Sequence, residues 1–135
     1  MNNGGEATTL RILVVDNDPL VLSSIRTVLE FDGHPVAGAN GGQAGLDMFS
    51  AALSAAEPFT VVITDLSMPG MDGPQLARAV KNLSPATAVI LVTGWGAKAG
   101  NDGALRTYID HVLGKPQSIQ VLRAALAKCE AASKG

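Results

Sequence analysis

Short apolar runs alternate with amphipathic stretches along most of the chain. Five runs rich in Val, Ile, Leu or Ala predict strands, and they cover residues 10–15, 35–39, 59–64, 88–92 and 109–113. The run at 35–39 gives the weakest signal of the five. Most of the runs are continuous rather than alternating, which is typical of strands that are covered on both faces in a parallel sheet.

The stretches between these runs carry apolar residues at helical spacing. This spacing predicts four helices, at residues 19–31, 44–53, 74–83 and 118–129. At the first helix, Asp18 is a suitable N-cap, Pro19 suits the first turn, and Gly33 can end the helix in a left-handed conformation. Residues 94–107 contain four glycines, so a further helix there, the fourth in chain order, would be short or mobile.

The alternation of strands and helices predicts an α/β fold with a doubly wound parallel sheet. A chain of 135 residues with 47% hydrophobic residues is long enough for one domain with one core. We assign this domain to residues 10–130. Residues 1–9 are expected to form a disordered tail, and 131–135 a frayed tail or the start of a linker.

The charge balance argues against two classes of partner. The formal net charge is −2, which gives no strong attraction to nucleic acid or to an anionic membrane. The single cysteine, Cys129, cannot form an internal disulfide, and no apolar run approaches the roughly 18 residues of a membrane span. We therefore expect a cytoplasmic protein that binds neither DNA nor a membrane directly.

Polar residues follow the predicted strands at the edge where doubly wound sheets bind their ligands, beyond the carboxyl ends of the strands. They are Asp16, Asn17 and Asp18 after the first strand, Asp65 after the third, Thr93 after the fourth, and Lys115 and Pro116 after the fifth. Core packing does not require acids, a hydroxyl and an amine at these positions. The sequence therefore predicts a functional site at this edge.

The residue types at this edge suit phosphoryl transfer. Clustered carboxylates repel one another unless a cation lies among them, and Mg²⁺ binds to one or two carboxylates together with carbonyl and phosphoryl oxygens. Asp65 begins an accessible loop and is the candidate nucleophile. Lys115 could supply a positive charge, and Thr93 a hydroxyl, for the oxygens of an acyl phosphate.

Four motifs in order resemble the receiver domains of two-component response regulators, which include the chemotaxis regulators. The motifs are LVVD at 13–16, TDLSMPGMDG at 64–73, LVTG at 91–94 and GKP at 114–116. The resemblance covers about residues 10–128. It implies a flavodoxin-like, five-stranded parallel sheet in the order 2-1-3-4-5, with helices on both faces.

The same resemblance implies a role for each site residue. Asp65 would be the phosphoacceptor. Thr93 would be the switch hydroxyl, and Lys115 would be the lysine that the family has at this position. The ligands of Mg²⁺ would be Asp16, the adjacent residue Asn17, Asp65 and the backbone carbonyl of Ser67. Pro116 would follow a cis peptide bond. The phosphodonor would be a histidine kinase or a histidine phosphotransfer protein.

Output would pass to a downstream protein through the face formed by helix 4, strand 5 and helix 5. Such a domain is not an enzyme in the usual sense, since it catalyses only its own phosphorylation and dephosphorylation.

Two positions depart from the family pattern. The second acid after the first strand is replaced by Asn17, whose amide carries no charge, so we expect weaker Mg²⁺ affinity. The usual switch aromatic is replaced by Val112, and Tyr108 or Trp95 could substitute only with a different geometry. Trp95 is a candidate to cover the site and limit the access of water to an aspartyl phosphate.

Two alternatives remain open at this stage. A degenerate receiver would bind partners without phosphorylation, which Asn17 and Val112 make credible. A phosphatase resembling the haloacid dehalogenases would instead use Asp16 as its nucleophile within the Asp16-x-Asp18 pattern. Against it, Leu20 replaces the usual Thr or Val of that family, and no later acidic metal motif appears.

Overall fold

The computed structural model describes residues 10–93, 107–114 and 119–134. Its strands are β1 (Ile12–Val15), β2 (Val36–Ala39), β3 (Val61–Asp65), β4 (Ala88–Thr93) and β5 (His111–Gly114). Its helices are α1 (Pro19–Phe31), α2 (Gly42–Ser54), α3 (Gly73–Leu83) and α4 (Ile119–Lys134). The labels count described elements only, so α4 is the helix that the sequence predicts as helix 5.

The five strands form one parallel sheet in the order β2-β1-β3-β4-β5. This order confirms the predicted 2-1-3-4-5 arrangement. The central strand is β3, which pairs with β1 on one side and with β4 on the other. Both neighbours run parallel to it, so the carboxyl ends of all three strands lie at the same edge of the sheet.

Apolar side chains pack on both faces of the sheet, because successive residues of a strand point to opposite faces. One cluster joins Leu13, Val62, Val89 and Leu91 of the strands to Phe49 of α2 and to Leu76 and Val80 of α3. The other joins Ile12, Val14, Ile63 and Ile90 to Ile25 and Leu29 of α1 and to Leu122 and Leu126 of α4. Burial on both faces explains why the strand sequences are continuously apolar.

The ends of α1 confirm the sequence prediction. The carboxylate of Asp18 accepts a hydrogen bond from the Leu20 N–H at 2.9 Å, and Pro19 occupies the first turn. Gly33 has a φ of +91°, and its N–H donates to the Glu30 carbonyl at 3.0 Å. Helix α1 therefore begins and ends where its capping residues predict.

Two helices extend beyond their predicted bounds by more than one residue. Helix α2 begins at Gly42 rather than at residue 44, and α4 ends at Lys134 rather than at residue 129. The apolar pattern that predicts α2 does not reach Gly42, and the residues after Cys129 favour helix without adding an apolar stripe. Even with the extension, no helix in the described part of the chain is long and apolar enough to span a membrane.

Asp110 lies at the edge of the sheet opposite the carboxyl ends of the strands. It precedes β5 and connects this strand to β4 and α3. Its Oδ2 accepts a hydrogen bond from the Val89 N–H of β4 at 2.7 Å and one from the Lys81 Nζ of α3 at 2.8 Å. Lys81 also donates to the Thr87 carbonyl at 2.7 Å. Because Val89 is fully buried, its N–H depends on Asp110 rather than on water.

We expect Asp110→Ala to lower the free energy of unfolding by about 1–3 kcal/mol, because the buried N–H of Val89 loses its acceptor. Asp110→Asn keeps an acceptor oxygen and should lose less. Urea unfolding followed by circular dichroism measures both. Glu30→Ala is the control, since its exposed pair with Arg26, at 3.4 Å, contributes at most about 0.5 kcal/mol. Equal losses for Asp110→Ala and Glu30→Ala would contradict this account.

A second ion pair joins the end of α1 to α4. The Nε and Nη2 atoms of Arg123 donate to the two carboxylate oxygens of Asp32 at 2.7 and 2.6 Å. These hydrogen bonds lower the pKa of the Asp32 carboxyl below its ordinary value, and desolvation opposes part of that shift. The charged form of Asp32 is therefore favoured more in the folded state than in the unfolded chain.

The lowered pKa of Asp32 fixes the pH dependence of this contribution. The pair stabilises the fold above the unfolded-state pKa of about 3.9, and its contribution is lost as the pH falls through the lower folded-state pKa. Arg123→Met should therefore be less stable than the wild type near pH 7, and the difference should shrink below about pH 4. Urea unfolding at several pH values measures it. A difference that persists unchanged in acid would show that the carboxylate charge is not involved.

Candidate functional site

Asp16 lies immediately after β1 and is 2% exposed. Its backbone N–H donates to the Ala39 carbonyl at 3.1 Å, which continues the pairing of β1 with β2. Its Oδ1 accepts a hydrogen bond from the Asp18 N–H at 2.8 Å. Asp18 in turn caps α1, so the two acids have separate structural roles. Asp16 starts the turn, and Asp18 starts the helix.

Asp65 is the last residue of β3 and is half-buried. Its Oδ1 accepts a hydrogen bond from the Leu66 N–H at 2.8 Å, which directs the carboxylate along the loop that follows. The hydroxyl of Thr64, which is fully buried, donates to the Asp65 carbonyl at 3.0 Å. Both the side chain and the peptide group of Asp65 are thus oriented by neighbours in the chain.

The strand pairing brings three of the predicted site residues together. Val15 of β1 lies beside Thr64 of β3. The residues that follow them, Asp16 and Asp65, therefore also lie side by side. On the other side of β3, Asp65 pairs with Val92, and Thr93 is one residue further along β4. Thr93 is 1% exposed and ends its strand. Asp16, Asp65 and Thr93 therefore occupy adjacent strand ends at one edge of the sheet.

The loop from Leu66 to Asp72 borders this edge. Ser67, the predicted carbonyl ligand, is exposed, and an open cleft beside it is lined by Leu66, Met68, Pro69 and Asp72. The Gly73 N–H closes the loop by donating to the Leu66 carbonyl at 2.9 Å.

Asp72 caps α3 in the loop that Asp65 begins. Its carboxylate accepts from the Gln75 N–H at 2.9 Å, and the Gln75 side chain accepts from the Asp72 N–H at 2.9 Å. This capping box satisfies the first turn of α3 without Asp65. Asp72 therefore caps α3, and the carboxylate of Asp65 is not needed for this role.

The structure describes three of the remaining predicted residues, and three others lie outside the described part of the chain. Asn17 is exposed in the turn between Asp16 and Asp18. Val112 and Tyr108 are half-buried and pack against the apolar cluster on the α2 and α3 face. Lys115, Pro116 and Trp95 lie outside the described residues, so the roles predicted for them stay predictions.

The oxygen atoms at this edge are of the type that binds a small hard cation. Asp16 and Asp65 bring two carboxyl groups to adjacent strand ends, and the loop from Leu66 to Asp72 borders them. Within residues 10–93, 107–114 and 119–134, no group of three or more His, Cys, Asp or Glu side chains could hold a metal ion. Two carboxylates suit Mg²⁺, which keeps several waters and shares its coordination with phosphoryl oxygens, better than metals that need a complete protein cage.

Sequence reasoning missed two features of this site. Thr64 ends a predicted strand and begins a motif, and neither fact predicts that its hydroxyl donates to the Asp65 carbonyl. Gly73 ends the same motif, and the motif does not reveal that a Cβ at this position would overlap the Asp65 carbonyl oxygen. A buried Thr next to the acid and a Gly at the start of a helix are weak signals alone, because neither reveals its contact partner.

Comparison with known proteins gives a consistent assignment. Residues 12–127 match the family model of the response regulator receiver domain. The chain is 30% identical over 118 residues to the response regulator protein FleR of Pseudomonas aeruginosa. It is 35% identical over 130 residues to the virulence sensor protein BvgS of Bordetella bronchiseptica. These matches cover 87% and 91% of the chain but only 24% and 10% of the two relatives, respectively.

A solved structure agrees with the sequence comparisons. The response regulator receiver domain protein of Clostridium thermocellum shares 32% sequence identity with this chain and has a TM-score of 0.83. The likeness covers 93% of this chain and 97% of that one. The family match spans most of the sequence, and the order of the sheet is the one that the family motifs imply. The chain therefore belongs to the family of response regulator receiver domains, which are signalling domains.

Proposed function

We propose that this receiver domain accepts a phosphoryl group on Asp65 as part of a two-component phosphorelay. The observation that carries the proposal is the position of Asp65 at the end of the central strand, with Asp16 and Thr93 at the adjacent strand ends. Asp65 is half-buried, whereas Asp16 is 2% exposed. A phosphodonor would therefore reach Asp65 more easily.

In the proposed reaction, a carboxylate oxygen of Asp65 attacks the phosphorus of a phosphohistidine. The new bond joins that oxygen to phosphorus and the P–N bond breaks, so the donor histidine leaves with the electron pair and takes up a proton. The product is an acyl phosphate on Asp65. Other residues need not form covalent bonds, so they act by positioning and by electrostatic stabilisation.

Asp16, Asp65 and the Ser67 carbonyl are the proposed ligands of Mg²⁺. Bound there, the metal would neutralise the charge that develops on the transferring phosphoryl group. Asn17 lies beside Asp16 but brings no charge, so we propose that Mg²⁺ binds more weakly than in receivers with two adjacent acids.

Lys115 and Thr93 are proposed to bind the oxygens of the acyl phosphate. Gly114 pairs with Thr93, so Lys115 directly follows the residue of β5 that lies beside the end of β4. In the signalling step, Thr93 would move toward the phosphoryl group and shift the population of the segment that follows it. Val112 makes an aliphatic contact where receivers usually have the switch aromatic, so this coupling would not use a rotating ring.

The proposed partners are a histidine kinase or phosphotransfer protein as the donor, and a downstream protein as the target. The target would bind the face that includes β5, α4 and the predicted helix at 94–107. The chain spans 24% or less of the length of FleR and BvgS. The proposed domain comprises residues 10–130, and its proposed location is the cytoplasm.

A degenerate receiver that signals without phosphorylation is the second candidate. Asn17 at the metal side and Val112 at the switch position both favour it. The phosphatase alternative based on Asp16 loses its support, because the chain belongs to the receiver family and Asp16 orients the turn that leads to Asp18.

Asp65→Asn tests the proposed acceptor. We expect the wild type to gain one phosphoryl group from acetyl phosphate in the presence of Mg²⁺, and the variant to gain none, since an amide oxygen is a poor nucleophile for this reaction. Intact mass spectrometry measures the adduct and peptide mapping locates it. Asp47→Asn, an exposed change on α2, is the control that should retain phosphorylation. An adduct on Asp16 would overturn the assignment, and no adduct on the wild type would favour the degenerate receiver.

Asn17→Asp tests the proposed cause of weak metal binding. We expect the added carboxylate to raise Mg²⁺ affinity by about tenfold, or roughly 1.4 kcal/mol, because the cation gains a charged oxygen neighbour. Isothermal titration calorimetry measures the affinity directly. Asn82→Asp makes the same chemical change on an exposed residue near the far end of α3 and should leave the affinity unchanged. Equal effects of the two substitutions would mean that only overall charge matters.

A further inference from the structure

Helix α2 approaches the loop after Asp65 more closely than an ordinary side chain permits. Gly42 is the first residue of α2 and is buried. A Cβ placed on Gly42 would overlap the Met71 carbonyl oxygen and would lie 2.9 Å from the Met71 Cβ and 3.0 Å from its carbonyl carbon. Two of these three neighbours are backbone atoms, so they cannot move without moving the loop itself.

The two glycines at the start of α2 differ in what surrounds them. Gly41 is the N-cap, where glycine is acceptable, and its Cβ position is open space. Gly42 has no room for a Cβ. Of the two, only Gly42 is therefore required by close packing, and its packing partner is the loop that carries Ser67.

A second close approach holds the start of the same loop, where Gly73 packs against Asp65. A Cβ on Gly73 would overlap the Asp65 carbonyl oxygen, and the Gly73 N–H donates to the Leu66 carbonyl at 2.9 Å. The loop thus lies between a contact at Asp65 and a contact at Met71. The residues between these contacts include the exposed Ser67 and Gly70, which has a φ of +78°.

Exposed loops with few buried contacts open at low free energy, whereas metal ligands must be held to within about 0.5 Å of their productive geometry. Within the loop, Met68 is buried and fixes the middle. Met71 is the point at which α2 can restrain the segment before α3 begins. Ser67 and Met71 lie on either side of the buried Met68, so a displacement at Met71 that shifts Met68 would also shift the Ser67 carbonyl.

We propose that Gly42 is a positioning residue for the phosphoacceptor site. It lets α2 pack against the Met71 backbone, and this contact fixes the loop that presents the Ser67 carbonyl next to Asp65. The inference rests on the proposed function, because it takes the Ser67 carbonyl as a metal ligand. It adds that α2, which contributes no ligand, determines how well the site binds Mg²⁺.

Gly42→Ala tests the inference. We expect this variant to bind Mg²⁺ about tenfold or more weakly, as is typical when the support of a metal ligand is lost. Isothermal titration calorimetry on the unphosphorylated protein measures the affinity. Hydrogen exchange of the amides at 66–72 should also become faster.

Two controls separate positioning from general loss of stability. Gly41→Ala adds the same methyl group at the neighbouring position, where nothing lies within 4 Å, and should keep the wild-type affinity. Val80→Ala removes a fully buried contact in the later part of α3 and should lower stability without weakening Mg²⁺ binding.

If Gly42→Ala fails to fold, Met71→Ala tests whether the loop must be held at this point. It leaves the Met71 atoms that Gly42 approaches and removes the rest of the half-buried side chain, which packs against the apolar cluster on the α2 and α3 face. The loop then loses its anchor at Met71 without added volume, and we expect a several-fold loss of Mg²⁺ affinity.

The outcomes distinguish this inference from the proposed function. A wild type that neither binds Mg²⁺ nor accepts a phosphoryl group would refute the proposed function itself. A wild type that does both, with Gly42→Ala or Met71→Ala no weaker in Mg²⁺ binding than Val80→Ala, would overturn the positioning role and leave the proposed function intact.

Discussion

The functional site depends on the register of three parallel strands. Pairing of β1 with β3 places Asp16 beside Asp65, and pairing of β3 with β4 places Thr93 one residue beyond the partner of Asp65. A slip of one residue in either ladder would exchange the two faces of a strand and bring an acid toward the apolar clusters. Burying a carboxylate there without a partner is costly. The packing that stabilises the sheet therefore also holds the acids together at its edge.

The acids at this edge fall into two pairs with the same division of roles. Asp16 and Asp65 follow strands, and each accepts a hydrogen bond from a backbone N–H in the turn that it begins. Asp18 and Asp72 start the next helices and cap them. The capping acids are used at the helix ends, so the proposed function assigns the metal and the phosphoryl group to the two strand-end acids instead.

Most of the fold was predictable because its physical causes are local. Continuous apolar runs gave the strands, and Asp18 with Pro19 gave the start of α1. The start of α2 was predicted wrongly, since Gly42 is a poor helix former and its burial depends on Met71, which is 29 residues away in the chain. The association of Asp16, Asp65 and Thr93 followed from strand order. The contact between the Thr64 hydroxyl and the Asp65 carbonyl did not, because a β-branched residue in a strand needs no such partner.

The two departures from the family pattern leave the architecture unchanged. Asn17 is exposed in the turn, where the hydrogen bond from the Asp18 N–H to Asp16 maintains the geometry without it. Val112 packs as an aliphatic residue in the sheet and against the apolar cluster, so the core stays filled. The carboxylates are oriented by backbone groups of their own loops, and those loops are anchored by helix caps and close glycine contacts. The receiver architecture therefore does not depend on either position, and under the proposed function their effects would fall on metal affinity and on the transmission of the signal.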